Sequence, residues 1–183
     1  MPHGVRGGGL LKSVRLPHYD YSTSGAYFLT LCAHDKECLF GTVADGINHL
    51  NECGRIVERE WLRSAEIRRE LEIGDFVIMP NHLHGVVFIR DHDPAHGRAA
   101  LPDVYHRGSR DREAHSISSF VAGFKSYTTK LTNEFRGTHG FRLWQPNYFE
   151  HIIRNDAQLG RACEYIQTNP LRWEFDKYHP NHR

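Results

Sequence analysis

Apolar residues recur along this chain with two different periods, and the switches between them mark out the elements. The run "AYFLTLCA", residues 26–33, follows the turn-forming "STSG" and predicts a strand. Leu50, Cys53, Val57 and Trp61 then recur at helical steps, which predicts a helix capped by Asn48 or Asn51. "LEIGDFVIM" returns to strand character, with Gly74 marking a bulge or a strand start, and leads through Pro80 into a histidine-bearing strand that runs on as "VVFI". A helix over about 116–135 carries Phe120, Phe124, Tyr127, Leu131 and Phe135 at steps of three and four. "YFEHII" predicts another strand. A last helix begins near Asn155 and must stop close to Pro170, because proline disfavours helical geometry in the residue before it.

Residues 91–115 lack any period and are rich in turn formers and charge, which predicts a flexible surface insertion. The tail from Leu171 has no strong pattern. The element order predicts one domain over residues 1–183, an α+β sandwich with helices packed on a central, mainly antiparallel sheet.

Composition narrows the setting. No apolar run approaches the roughly 20 residues needed to cross a bilayer, and the N-terminus lacks a signal peptide's apolar stretch. The 4 cysteines show no Cys-x-x-Cys spacing, which reads as reduced thiols in a cytoplasmic protein. A net charge of +1 argues neither for nor against nucleic acid. Residues 116–154 are locally basic, and Lys125, Lys130 and Arg154 are the candidate DNA contacts within them.

The chemistry concentrates in "MPNHLHG", residues 79–85. Strand side chains alternate faces, so His82 and His84 project together while Leu83 enters the opposite layer. Two readings stand: a pair of imidazoles chelating a divalent cation, or two histidines on a solvent-facing side in a chain that has 14. A metal site needs further ligands. In "CEYIQTNP", Tyr165 and Asn169 lie four apart on one helical side, and Asn169 sits where the helix dipole favours a cation. Asn169 is then either an amide-oxygen ligand or simply the end of a helix before proline.

Of the 8 tyrosines, Tyr165 alone combines a well-signalled helix, a polar edge and an oxygen ligand one turn away. Tyr127 falls on the apolar stripe of its helix, and Tyr178 falls in the unpatterned tail. A phenol with a pKa near 10 is a poor nucleophile until a cation polarises its target and neutralises developing charge. That combination suits phosphodiester cleavage through a phosphotyrosine, which needs no Walker-type glycine loop.

"MPNHLHG" resembles the His–hydrophobic–His motif of HUH endonucleases, and its setting resembles the REP-associated tyrosine transposases, relatives of the single-tyrosine transposases of bacterial insertion sequences. The likeness runs through "HYDYSTSGAYFLTLCAH", "LNECGRIVEREW", "FVIMPNHLHGVVF", "GFKSYTTKLTNEF", "LWQPNYFEHIIRN" and "EYIQTNPLRW", in that order. It implies a ferredoxin-like fold with helices on one side of the sheet. It also implies Mg²⁺ or Mn²⁺ held by His82, His84 and Asn169, and Tyr165 as the attacking group. The implied activity is that of a metal-dependent endonuclease and strand-transferase acting on single-stranded DNA beside hairpins, with a homodimer among the implied assemblies and no membrane partner. Two alternatives stay open: a non-catalytic hairpin-binding module derived from a transposase, and a hydrolase using the histidines with a carboxylate and water. "WQPNYFEHIIRN", His151 included, matches the motif without a role.

Overall fold

A computed structural model describes residues 25–90 and 116–182. Its centre is a sheet of four strands, β1 (Gly25–Cys32), β4 (Leu71–Met79), β5 (His82–Ile89) and β6 (Phe149–Ile153), in the order β4-β5-β1-β6 with every pairing antiparallel. A small hairpin, β2 (Gly41–Ala44) and β3 (Ile47–Leu50), stands apart from it. The helices are α1 (Glu52–Ile67), α2 (Ile117–Arg136) and α3 (Asp156–Thr168). Strand, helix, two strands, helix, strand in this spatial order is the ferredoxin-like arrangement. The expected insertion at 91–115 lies outside the described residues. No helix among the described residues is long and apolar enough to cross a membrane.

Alternation along β1 and β5 divides the interior into two layers. Tyr27, Leu29 and Leu31 join Leu83 and Val87 in the larger core, which Trp61 of α1 and Phe120 and Phe124 of α2 complete. Phe28, Val86 and Phe88 face the other way, toward Ile166, Leu159 and Ala162 of α3. The fold class is the expected one, but its helices are not all on one side. α1 and α2 cover one face of the sheet and α3 the other, so residues of β5 that point away from the main core have a helix to meet.

The caps explain the boundaries. Asn51, not Asn48, caps α1, accepting a hydrogen bond from the Gly54 N–H at 3.0 Å; Asn48 lies in β3 and donates to the Ile78 carbonyl. Ser116 caps α2, Gly137 ends it in the left-handed region at φ 62°, and Asn155 caps α3. A register shift between Ile73 and Phe76 puts a bulge at Gly74, as expected. Gly85 has a packing reason. A Cβ there would lie 2.5 Å from the Trp61 ring, so the glycine after the histidine pair is what lets α1 sit down on β5.

The apolar stripe of α2 differs from the expected one. Its buried positions run Ile117, Phe120, Val121, Phe124, Thr128 and Thr132, while Tyr127 and Leu131 are half-buried and Phe135 is exposed. At Thr128 the hydroxyl is used in the core: it donates to the Phe124 carbonyl at 2.7 Å and accepts from Trp144 Nε1 at 2.9 Å.

Candidate metal and nucleophile site

His82 and His84 leave β5 on the α3 face, and neither is a surface residue, being 0% and 1% exposed. The solvent-facing reading therefore does not hold. Each ring is held by its Nδ1, His82 by Asn81 Oδ1 at 2.8 Å and His84 by Thr30 Oγ1 at 2.8 Å. Because an amide oxygen only accepts, Nδ1 of His82 carries the proton and its Nε2 keeps a lone pair. Both Nε2 atoms are buried without a hydrogen-bond partner. Burial, foremost, pushes the His82 pKa down to about 3, with the Lys177 charge adding to it. Burial and then the neighbouring His82 hold His84 well below the ordinary histidine value. Two buried, neutral imidazoles whose Nε2 atoms lack partners are a donor pair that a divalent cation can bind.

Across from them, α3 ends at Asn169, 2% exposed. Its Nδ2 donates to Asp176 Oδ2 at 3.0 Å, and since a carboxylate only accepts, the amide orientation is fixed. Asn169 Oδ1 is thereby left buried with no partner. Three ligand-type atoms on β5 and α3 are thus orphaned in one small region, at a cost on the order of 1–3 kcal/mol each that a bound cation would offset. The donor set fits such an ion: two imidazole nitrogens and a neutral oxygen suit Mg²⁺, Mn²⁺ or softer divalent metals. One ring nitrogen of each histidine and one carboxylate oxygen of Asp176 lie within 4.8 Å of one another.

Tyr165 lies one helical turn before Asn169, its ring centroid 5.0 Å from that of His84 and 6.0 Å from that of Phe28. Its hydroxyl donates to Asp176 Oδ2 at 3.5 Å. Burial and the Asp176 charge push its pKa up to about 12, partly offset by a hydrogen bond from Asn169. The phenol is therefore protonated at neutral pH. Unlike the histidines it is substantially exposed, and it opens into a groove of about 640 Å³ that also reaches His84 and Asn169. Phe149, His151, Arg161, Arg172, Phe175 and Lys177 line the same groove. Phe149 is 48% and Phe175 82% exposed, both unusual for phenylalanine.

The structure brings His82, His84, Tyr165 and Asn169 together. The three basic candidates fall elsewhere and do not line the groove. Lys125 is half-buried, and its ammonium donates to the Gln145 and Asn147 carbonyls, each at 2.8 Å; desolvation lowers its pKa to about 8. With two carbonyls occupying it, that ammonium is a latch on the loop before β6 rather than a free phosphate contact. Lys130 pairs with Glu134 at 3.8 Å on the outer face of α2, and Arg154 is exposed between β6 and α3. The loop held by Lys125 is the "WQPN" of the sequence. Gln145 N–H donates to Cys32 O at 2.9 Å and Trp144 bridges Ala33, so this stretch serves to dock β6 beside β1. His151, by contrast, faces the groove.

Sequence reasoning missed Asp176 and did not place Tyr178 beside the histidines; both lie in the tail. A 3-10 turn over Pro170–Phe175, anchored by buried Trp173, folds the chain back so that Asp176 reaches Asn169 and the Tyr178 ring lies tilted against His82, with centroids 4.7 Å apart. "NP" signalled where the helix ends, but nothing in the pattern signalled the reversal.

No protein-family model matches the chain. An uncharacterized protein of Haemophilus influenzae is 38% identical over 168 residues, covering 91% of each chain. The REP-associated tyrosine transposase of Escherichia coli is 25% identical over 154 residues, 76% of this chain and 77% of that one. A putative REP-associated tyrosine transposase of Haemophilus influenzae is 21% identical over 173 residues, 87% of this chain and 83% of the other. Among solved structures, a REP-associated tyrosine transposase bound to a REP hairpin superposes with a TM-score of 0.54 at 19% identity, over 89% of this chain and 77% of that one, a likeness of fold. Over most of its length the chain is similar in sequence to REP-associated tyrosine transposases, and it shares the fold of one of them.

Proposed function

We propose that this chain is a metal-dependent endonuclease and strand-transferase for single-stranded DNA beside hairpins, with His82, His84 and Asn169 holding Mg²⁺ or Mn²⁺ and Tyr165 as nucleophile. One observation carries the reading: three buried ligand atoms without partners surround the one tyrosine of the cluster that opens into a groove. The related solved chain is bound to a REP hairpin, and a hairpin with a single-stranded flank is the substrate class we infer here.

The bound cation would neutralise charge on the scissile phosphate and favour the phenolate. Tyr165 Oη attacks the phosphorus, forming an Oη–P bond as the P–O3′ bond breaks. The phenol proton passes to water in the open groove, and the departing 3′ oxygen takes up a proton from the same solvent. The product is a 5′-phosphotyrosine and a free 3′-hydroxyl, whose attack reverses the step and joins strands without an external energy source. Exposed Phe149 and Phe175 offer stacking surfaces for unpaired bases, and Arg161, Arg172 and Lys177 offer charge to the backbone. Lys130 and Arg154, exposed but not lining the groove, are left for the hairpin's duplex backbone.

Tyr178 is the competing phenol. It lies beside His82 but does not line the groove, and its hydroxyl is bonded to Cys32. The test uses a labelled hairpin oligonucleotide with a single-stranded flank, Mn²⁺ and a denaturing gel. A covalent adduct forms with the wild type, vanishes in Tyr165→Phe, and persists in Tyr178→Phe and Tyr127→Phe. Hairpin binding with no adduct in the wild type would instead establish a binding module, and loss in Tyr178→Phe alone would move the nucleophile.

A further inference from the structure

Asp176 is the one buried carboxylate in the site, and its two oxygens are used differently from the orphaned atoms around it. Oδ2 accepts from Asn169 Nδ2 at 3.0 Å and from the Tyr165 hydroxyl at 3.5 Å, while Oδ1 accepts from the Tyr178 N–H at 2.7 Å. Its backbone is equally committed: the N–H donates to Trp173 O at 3.0 Å, and the carbonyl accepts from the His179 N–H at 2.8 Å. The carbonyl also meets His182 Nδ1 at 2.9 Å. His82 Nε2, His84 Nε2 and Asn169 Oδ1 have no partner at all. Proximity alone would group Asp176 with the histidines as a ligand, since one of its oxygens is within 4.8 Å of their nitrogens. Hydrogen bonding separates them: the atoms left free are the ligand set, and the carboxylate is their support.

Without that support Asn169 has no reason to present its oxygen. A primary amide can turn end for end at little cost, and the NH₂ end toward a cation would repel it. The carboxylate accepts only from the NH₂ end, so it imposes one orientation. Resting on the metal reading above, we propose that Asp176 is a positioning residue that aims the Asn169 oxygen at the two imidazoles and so sets the cation affinity of the site, without itself ligating. By holding the Tyr165 hydroxyl on the same oxygen, it also ties the nucleophile to the ligand it must act beside. Partners of this kind one bond beyond the metal typically govern affinity by about 10–100-fold.

The experiment measures Mn²⁺ affinity of the full chain without DNA, by the loss of the free-ion electron paramagnetic resonance signal. Asp176→Ala should weaken binding about 10–100-fold. Asp176→Asn, which keeps an acceptor oxygen for Asn169, should recover part of that loss. In the Asn169→Ala background, removing Asp176 should cost no more than about 3-fold further, because a residue acting through another has little left to lose. A full independent loss in that background would make Asp176 a ligand and overturn the proposal, as would unchanged binding in Asp176→Ala or equal losses in the Asn and Ala variants. Should Asp176→Ala fail to fold, Asp176→Asn measured both alone and combined with Asn169→Ala decides the same question. Absence of Mn²⁺ binding in the wild type would sink the metal reading itself, an outcome distinct from these.

Discussion

The two faces of the sheet are built on opposite terms. Toward α1 and α2, Leu29, Leu31, Leu83 and Val87 meet Trp61, Phe120 and Phe124 in a continuous apolar layer. Toward α3, the same strands bury His82, His84 and, opposite them, Asn169 and Asp176, and leave three of their polar atoms unpaired. The first face stabilises the fold by roughly 1.5–3 kcal/mol for each large side chain it buries. The second gives some of that back, holding lone pairs in place that water would otherwise satisfy. A fold can carry such a cost when one face is well packed enough to absorb it. In this chain, two residues that are neighbours in sequence, Leu83 and His84, serve the two faces separately.

Changes on the packed face should therefore cost stability and spare chemistry per folded molecule. The largest effect belongs to Trp61→Ala, expected to lower unfolding free energy by about 3–5 kcal/mol in denaturant titration. Gly85→Ala, which drives a methyl group into the Trp61 ring, should cost about 1–3 kcal/mol, and Trp61→Phe in the same chain should recover part of it. If Gly85→Ala were neutral, the close approach of α1 to β5 would be wrong.

On the polar face the reverse holds. His82→Ala with His84→Ala should reduce adduct formation on the order of 10³-fold, about 4 kcal/mol of barrier, while hairpin affinity measured by gel shift changes far less. Equal losses would mean that the histidines hold DNA. The same pair makes the metal-free protein acid-sensitive. Their folded pKa values are depressed, so below pH 6.5 the unfolded chain takes up protons that the folded chain refuses. Stability is thus present above about pH 6.5 and is lost as pH falls toward about 3, the window set by the His82 shift. The slope is at most about 1.4 kcal/mol per pH unit for each histidine. Replacing both with Gln should flatten this stretch of a pH–stability curve, and an unaltered curve would contradict their buried neutral state. The smallest effect is expected at Lys130→Ala, within about 0.5 kcal/mol, because its pair with Glu134 is exposed.

Alternation made the division of faces readable in advance. His-x-His in a strand can only point one way, and the helical step from Tyr165 to Asn169 can only line one edge, so local geometry sufficed for both. Tertiary contacts decided what remained. The β2–β3 hairpin went unread although Asp45-Gly46, both at positive φ, is a strong turn signal. The α2 stripe was assigned to its bulky residues, whereas Thr128 and Thr132 are the ones buried, Thr128 because Trp144 Nε1 needs an acceptor there. Lys125 looked like a free cation, and only the folded loop before β6 shows its two carbonyl partners. Asp176 was invisible because its role depends on a chain reversal that no period records.

The most direct test of the central claim is the anomalous scattering of Mn²⁺ in crystals of this chain. The account predicts a single strong peak about 2.0–2.2 Å from His82 Nε2, His84 Nε2 and Asn169 Oδ1. A peak elsewhere, or none at Mn²⁺ levels that support adduct formation, would contradict it.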